Sequence, residues 1–188
     1  GCHRRIEKQL KTLAKLPAHL ADKGVDADAT NAAQAILRYF EKSAGHHHED
    51  EDRDLFPLIE KRISDASESA RFRERRAQLE ADHARMAACW AKLRKPLQGI
   101  AEGIPKSLDA GDVEAFRSIY ATHIPAEDGA IPDLAKRYLT GGFGGIVRPS
   151  GDGFLFRAPT LRLALSAGFA APRGQSDIYD LLTEELTL

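Results

Sequence analysis

A chain of 188 residues, 43% hydrophobic and 29% charged, has the make-up of an ordinary globular protein and can bury a core without disulfide staples. Its net charge of -1 gives no strong pull toward nucleic acid or anionic lipid, so neither is expected as a partner. No apolar run approaches a membrane span, no secretory signal stands out and the two cysteines make no disulfide framework, so a cytoplasmic location is expected.

Residues 1 to 23 are predicted to form the first helix, because His3, Ile6, Leu10, Leu13 and Leu20 fall on one stripe at helical steps. Gly24 stops it, and Asp26 or Asp28 caps the next. The second helix is predicted from about Asp28 to Arg62, with an inward stripe of Ala33, Leu37, Phe40, Ala44, His47, Glu51 and Leu55. Pro57 should kink its last turns. The third runs from about Ser67 to Leu97 on the stripe Phe72, Leu79, His83, Met86, Trp90 and Leu93; Pro96, Gly99, Gly103 and Pro105 are expected to close it. The fourth opens near Asp109 or Asp112 and runs to Leu139, with Phe116, Tyr120, His123, Glu127, Ile131, Leu134 and Tyr138 inward. Four amphipathic helices with short connections predict an all-α, antiparallel up-down-up-down four-helix bundle, with crossing angles of about 20°.

The composition changes after Leu139. Residues 140 to 188 contain neither Lys nor His, which divides the chain into a bundle over 1–139 and a C-terminal extension over 140–188. TGGFGGIVRPSGDGF reads as a flexible loop, and its glycine spacing is not that of a nucleotide-binding turn. FLFRAPTLRLAL reads as a short strand pair, and SDIYDLLTEELTL as a small amphipathic helix able to dock a protein partner.

Each predicted helix places one histidine on its apolar stripe: His3, His47, His83 and His123. A single histidine there is ordinarily a core residue; the coincidence of four is the signal. Two of them have a glutamate four residues on, Glu51 and Glu127, and side chains at that spacing lie about 40° apart around the helix. Burying two carboxylates calls for positive charge, yet no Lys or Arg recurs on these stripes, so a metal is the natural counter-charge. Imidazoles with carboxylates suit a pair of middle transition metals such as iron. Within HHHED, His46 and His48 rotate off the stripe and are expected exposed or in a supporting role; Asp50, Asp52 and Asp54 are expected solvated. His19 is expected to be structural. Glu80, three residues before His83, is a candidate seventh ligand or a partner for an imidazole N–H.

CHRRIEKQL, HHEDEDRDLFP, EADHARM and HIPAEDGAIPDLAKRYL, taken in that order, resemble the hemerythrin-like HHE cation-binding domain over nearly all of residues 1 to 139. The resemblance implies a four-helix bundle around a non-haem di-iron centre. The ligands it implies are His3, His47, Glu51, His83, His123 and Glu127, the same six that helical phase selects. The chain departs from oxygen-carrying hemerythrins on its third helix, where they have a second histidine and this chain offers only Glu80.

The first functional reading is therefore a di-iron protein that binds or senses oxygen, nitric oxide or iron. The second is a di-iron oxidase, peroxidase or iron-repair enzyme. Against it stand one ExxH and two HxxxE pairs in place of the two ExxH pairs of ferritin-like oxidases, and no separate acid/base pair. A purely structural bundle is the third.

Overall fold

The computed structural model describes residues 2–139, 147–150 and 153–156. Through Leu139 the protein is all-helical. The elements are α1 (Cys2–Lys23), α2 (Ala27–Tyr39), a π turn (Phe40–Ala44), α3 (Gly45–Asp50), a second π turn (Glu51–Leu55), α4 (Phe56–Arg62), α5 (Ala66–Ala101), α6 (Ala110–Asp128) and α7 (Ile131–Leu139). Since α2 to α4 run on through their π turns, these make four helical stretches, the fourth of them interrupted between α6 and α7. Among the described residues no helix is long and apolar enough to cross a membrane.

Local chemistry sets the boundaries. Gly24 adopts φ +70 and its N–H reaches the Leu20 carbonyl at 3.0 Å, an αL stop to α1. The Asp26 carboxylate then accepts from the Ala29 N–H at 2.8 Å and caps α2. The second stretch buries every residue of its expected stripe, from Ala33 to Leu55. The buried set continues 40, 44, 47, 51, 55, 59, mostly in steps of four, a little above the 3.6 of a regular helix. The π turns supply that stretch, because i→i+5 bonding puts more residues into a turn. The second π turn also accommodates Pro57: the Phe56 N–H bonds to the Glu51 carbonyl, and Pro57 enters at the start of α4, where a missing N–H is tolerated.

Three expectations are corrected. The third helix does not close at Leu97: of the residues expected to close it, α5 carries Pro96 and Gly99 inside and continues to Ala101, and Gly103 ends it. It stops at Gly103, φ +75, where the Gly103 N–H bonds to Ile100 and the Ile104 N–H to Gly99. That paired pattern satisfies terminal carbonyls and needs the left-handed conformation. The fourth helix is not continuous to Leu139; it breaks at Gly129–Ala130, because Pro132 has no N–H to offer the Asp128 carbonyl. Past the break the buried face becomes Ile131, Ala135 and Leu139, while Leu134 and Tyr138 are half-buried. Part of the expected loop is a strand: β1 (Val147–Ser150) pairs antiparallel with β2 (Gly153–Phe156), Val147 opposite Phe156. The rest of the expected strand pair, and the expected helix at SDIYDLLTEELTL, lie outside the described residues.

Contacts divide the chain into two units. The first comprises Gly1–Arg4, His46–Glu80 and Pro125–Leu188. Its core is Leu55, Phe56, Ile59, Ile63, Phe72, Leu79, Ile131, Ala135 and Leu139. Glu68 ties α5 to α7 through Arg137 at 2.6 Å and the Tyr138 hydroxyl, and Arg76 links to Glu60 at 2.8 Å. The second unit comprises Arg5–Gly45 and Ala81–Ile124. Its centre is aromatic: Phe40 lies 5.0 Å from Trp90 and 5.1 Å from Phe116, ring centre to ring centre, and Phe116 lies 5.2 Å from Tyr120. Burying each such ring stabilises the fold by about 1.5–3 kcal/mol or more. Thr30 and Gln34 of α2 donate to the Ile100 and Ala101 carbonyls at the end of α5.

Candidate metal centre

In the first unit, His47 sits on α3 between the two π turns, and Glu51 opens the second π turn with 0% exposure. The two side chains meet at i and i+4, with His47 Nδ1 3.4 Å from Glu51 Oε1. The other ring nitrogen, His47 Nε2, is 3.3 Å from His3 Nε2, and His3 Nε2 is 3.3 Å from Glu127 Oε2. One donor atom from each of His3, His47 and Glu127 lies within 4.8 Å of the others. The first turn of α1, the middle of the second stretch and the last turn of α6 thus bring two imidazoles and a carboxylate together.

The spacing suits a cation. Donors bound at about 2.1 Å stand about 3.0 Å apart around an octahedral ion and about 3.4 Å apart around a tetrahedral one. Both 3.3 Å separations fall inside that window. The donor set, nitrogen with hard oxygen, is one that middle transition metals accept. Burial by itself would lower the His3 imidazolium pKa, but hydrogen bonds to Asp128 and Glu127 outweigh it and raise the pKa from 6.5 to about 10. A cation that takes His3 Nε2 must therefore displace a proton.

In the second unit, His83 of α5 and His123 of α6 are both buried, with their Nε2 atoms 3.2 Å apart. His123 Nδ1 faces Asp82 Oδ2 at 3.6 Å, and Asp82 also accepts from Arg85. The two Nε2 atoms of this pair have the separation that neighbouring ligands of one ion require.

The structure thus gathers His3, His47 and Glu127, sets Glu51 against the far nitrogen of His47, and pairs His83 with His123. Glu80 is held by Arg76, whose Nε lies 2.7 Å from its Oε1. His46 is exposed, 3.9 Å from Glu49. His48 is half-buried beside the His47 ring, and its Nε2 is shut away from solvent. His19 bonds to Asp26 at 2.9 Å; the Ala29 N–H and His19 hold that carboxyl below the usual carboxylate range. One expectation among the acids is corrected: Asp50 is buried at 2% exposure, while Asp52 and Asp54 are half-buried. Asp50 is three residues past His47, on the same face as Glu51 but on the other flank.

Two acids at the clusters were not selected from sequence. Asp82 is three residues after buried Leu79 and four before buried Met86, so the spacing did carry a signal. Asp128, 2.9 Å from His3 Nδ1, left none, because the contact joins residues 125 apart in the chain.

The hemerythrin HHE cation-binding domain matches residues 1–134. The chain is also similar to an uncharacterized protein of Haemophilus influenzae, 28% identical over 128 residues, which cover 68% of this chain and 71% of that one. No solved structure matches. The domain match spans all the helices that carry the clustered histidines and glutamates, and on it the chain belongs to the hemerythrin HHE cation-binding family.

Proposed function

We propose that this is a cytoplasmic non-haem di-iron protein of hemerythrin type, which binds or senses oxygen, nitric oxide or iron. In this reading His3, His47, Glu51, His83, His123 and Glu127 hold two irons, with Glu80 a further candidate. Residues 1–139 are the metal-binding domain and residues 140–188 an extension that can serve a protein partner. The domain is read as an antiparallel up-down-up-down bundle. The order of contacts within each unit supports that arrangement: Thr30 meets Ile100 while Glu41 meets Arg94, Lys92 meets Asp112 while His83 meets His123, and Glu68 meets Arg137 while Arg75 meets Ala126. In each pair, going up one helix means going down the other.

The observation that carries the reading is the three-donor cluster of half-buried His3 with buried His47 and Glu127, at cation spacing. Iron held there would supply a redox-active centre able to take up a diatomic ligand. The chain's own part is to turn the Nε2 atoms of the imidazoles toward one another and to set carboxylates at the Nδ1 atoms of His3, His47 and His123.

The test is elemental analysis of the desalted protein after iron-replete expression. About two irons per chain are expected, because shared carboxylates let six ligands serve two ions. Zinc alone, or no metal above background, would overturn the reading. Exposing the reduced, loaded protein to oxygen then distinguishes the functions. A charge-transfer band that reverses on deoxygenation supports binding. Sustained turnover of peroxide or a reductant replaces it with the oxidase, peroxidase or iron-repair enzyme.

A further inference from the structure

We infer that Asp128 is a positioning residue that fixes the ring of His3 so that its Nε2 faces His47 and Glu127. This rests on the metal-binding reading above and extends it to a residue outside the six ligands. Asp128 Oδ1 reaches the ring from α6, 2.9 Å from His3 Nδ1, while His3 Nε2 lies 3.3 Å from both His47 Nε2 and Glu127 Oε2. With Nδ1–H donating to the carboxylate, the lone pair of a neutral ring is on Nε2, the atom at the cluster.

The placement of Asp128 argues the same way. It is the last residue of α6, at the negative end of the helix dipole, where a carboxylate is disfavoured. Aspartate is also a poor helix former. Local helix chemistry gives no reason for an acid there; the contact with His3 does. Glu127, next to it, has its carboxylate at the other ring nitrogen. Consecutive acids at the end of α6 thus hold opposite ends of one imidazole.

The test compares Asp128→Ala and Asp128→Asn with the wild-type full chain. Each is titrated anaerobically with Fe(II), and separately with Co(II), whose visible spectrum reports its ligand field. Asp128 is 58% exposed, so its truncation leaves the core intact, and far-UV circular dichroism of the metal-free proteins checks this. Asp128→Ala should weaken metal binding roughly 10–100-fold, the range seen when a partner of a ligating histidine is removed. Asp128→Asn keeps an oxygen that accepts from Nδ1–H and should stay within about threefold of wild type. In the Zn(II)-loaded chain, long-range proton–nitrogen NMR should show the Nδ1–H form of His3 in wild type and Asp128→Asn, and a broadened or altered signal in Asp128→Ala. Wild-type affinity together with an unchanged His3 signal in Asp128→Ala would overturn the inference. Equal weakening in both variants would also overturn it, by showing that charge and not ring position matters. Failure of the underlying reading looks different: the wild type itself would take up neither Fe(II) nor Co(II), and the role of Asp128 would fall with it.

Discussion

The two histidine clusters are built from different materials. In the first unit, His3, His47 and Glu127 sit on a helix's first turn, a short α-helix between π turns, and a helix's last turn. Three carboxylates there are buried: Asp50, Glu51 and Glu127. In the second unit, His83 and His123 face one another from the interiors of two regular helices, with one buried acid, Asp82, which Arg85 also contacts. Buried carboxylates favour a nearby cation, and in the metal-free protein the His3 imidazolium beside Glu127 supplies part of that charge. The first cluster should therefore depend on a cation, and the second unit on its packing.

The largest expected effect tests the packing half of that contrast. Phe116 is 1% exposed and touches Phe40, Trp90 and Tyr120, so Phe116→Ala should cost about 3–5 kcal/mol. Thermal melting by circular dichroism should show the loss equally in metal-loaded and metal-free protein. A loss confined to the loaded protein would mean that the aromatic core acts through the metal, and the contrast would break.

Metal removal comes next. At free metal about 100 times the dissociation constant, binding to the folded state alone contributes about 2.7 kcal/mol. For a chain of this size each kcal/mol is worth roughly 2–4 °C, so the chelated protein should melt about 5–10 °C lower. Equal midpoints would place the candidate ligands outside any metal site. Amide hydrogen exchange localises the effect: protection lost on chelation should concentrate around His47 to Leu55 and spare the Phe40–Phe116 region.

Glu51→Gln sharpens the comparison by its sign. Glu51 is fully buried with His47 Nδ1 3.4 Å away, so a neutral amide that keeps an acceptor oxygen there but removes the buried charge should stabilise the metal-free chain by about 1–2 kcal/mol. The same change should lower iron content in the loaded protein. Destabilisation of the metal-free form would show that the carboxylate is already well compensated without a cation. Asp82→Asn, its counterpart in the second unit, should leave the metal-free midpoint less changed.

How far the sequence alone reached differs between these regions for physical reasons. Buried stripes were legible because helical phase is local: the seven positions from Ala33 to Leu55 are all buried. The π turns beneath that stripe were not, since a widened turn changes steps of three and four only slightly. Prolines misled most. Pro96 reads as a terminator from its own chemistry, but α5 runs past it to Ala101, where the surrounding core is still buried through Leu97 and Ile100. Acids misled in the opposite direction. Asp50 was expected to be solvated and Asp82 was not selected at all, although each falls three or four residues from a buried neighbour. Glu80, which spacing alone offers to a metal, also meets Arg76 at i and i+4, a contact equally local in the sequence. Asp128 beside His3 is a long-range contact with no local trace.

The smallest expected effect concerns a residue whose contribution is backbone alone. Gly103 ends α5 at φ +75, and a Cβ there would meet nothing within 4 Å. Gly103→Ala therefore carries no steric clash with neighbours, only the conformational cost of a left-handed residue with a side chain, about 1 kcal/mol. Gly103→Asn should cost less, because asparagine tolerates that region better. The melting midpoint should fall by roughly 2–4 °C for alanine, by the same amount with and without metal, and iron content should not change. The same result is expected at Gly24, φ +70, which is equally open. A fall in iron content from either substitution would show that the ends of α1 and α5 are coupled to the histidine clusters. Stability in the second unit would then no longer be a matter of packing and backbone alone.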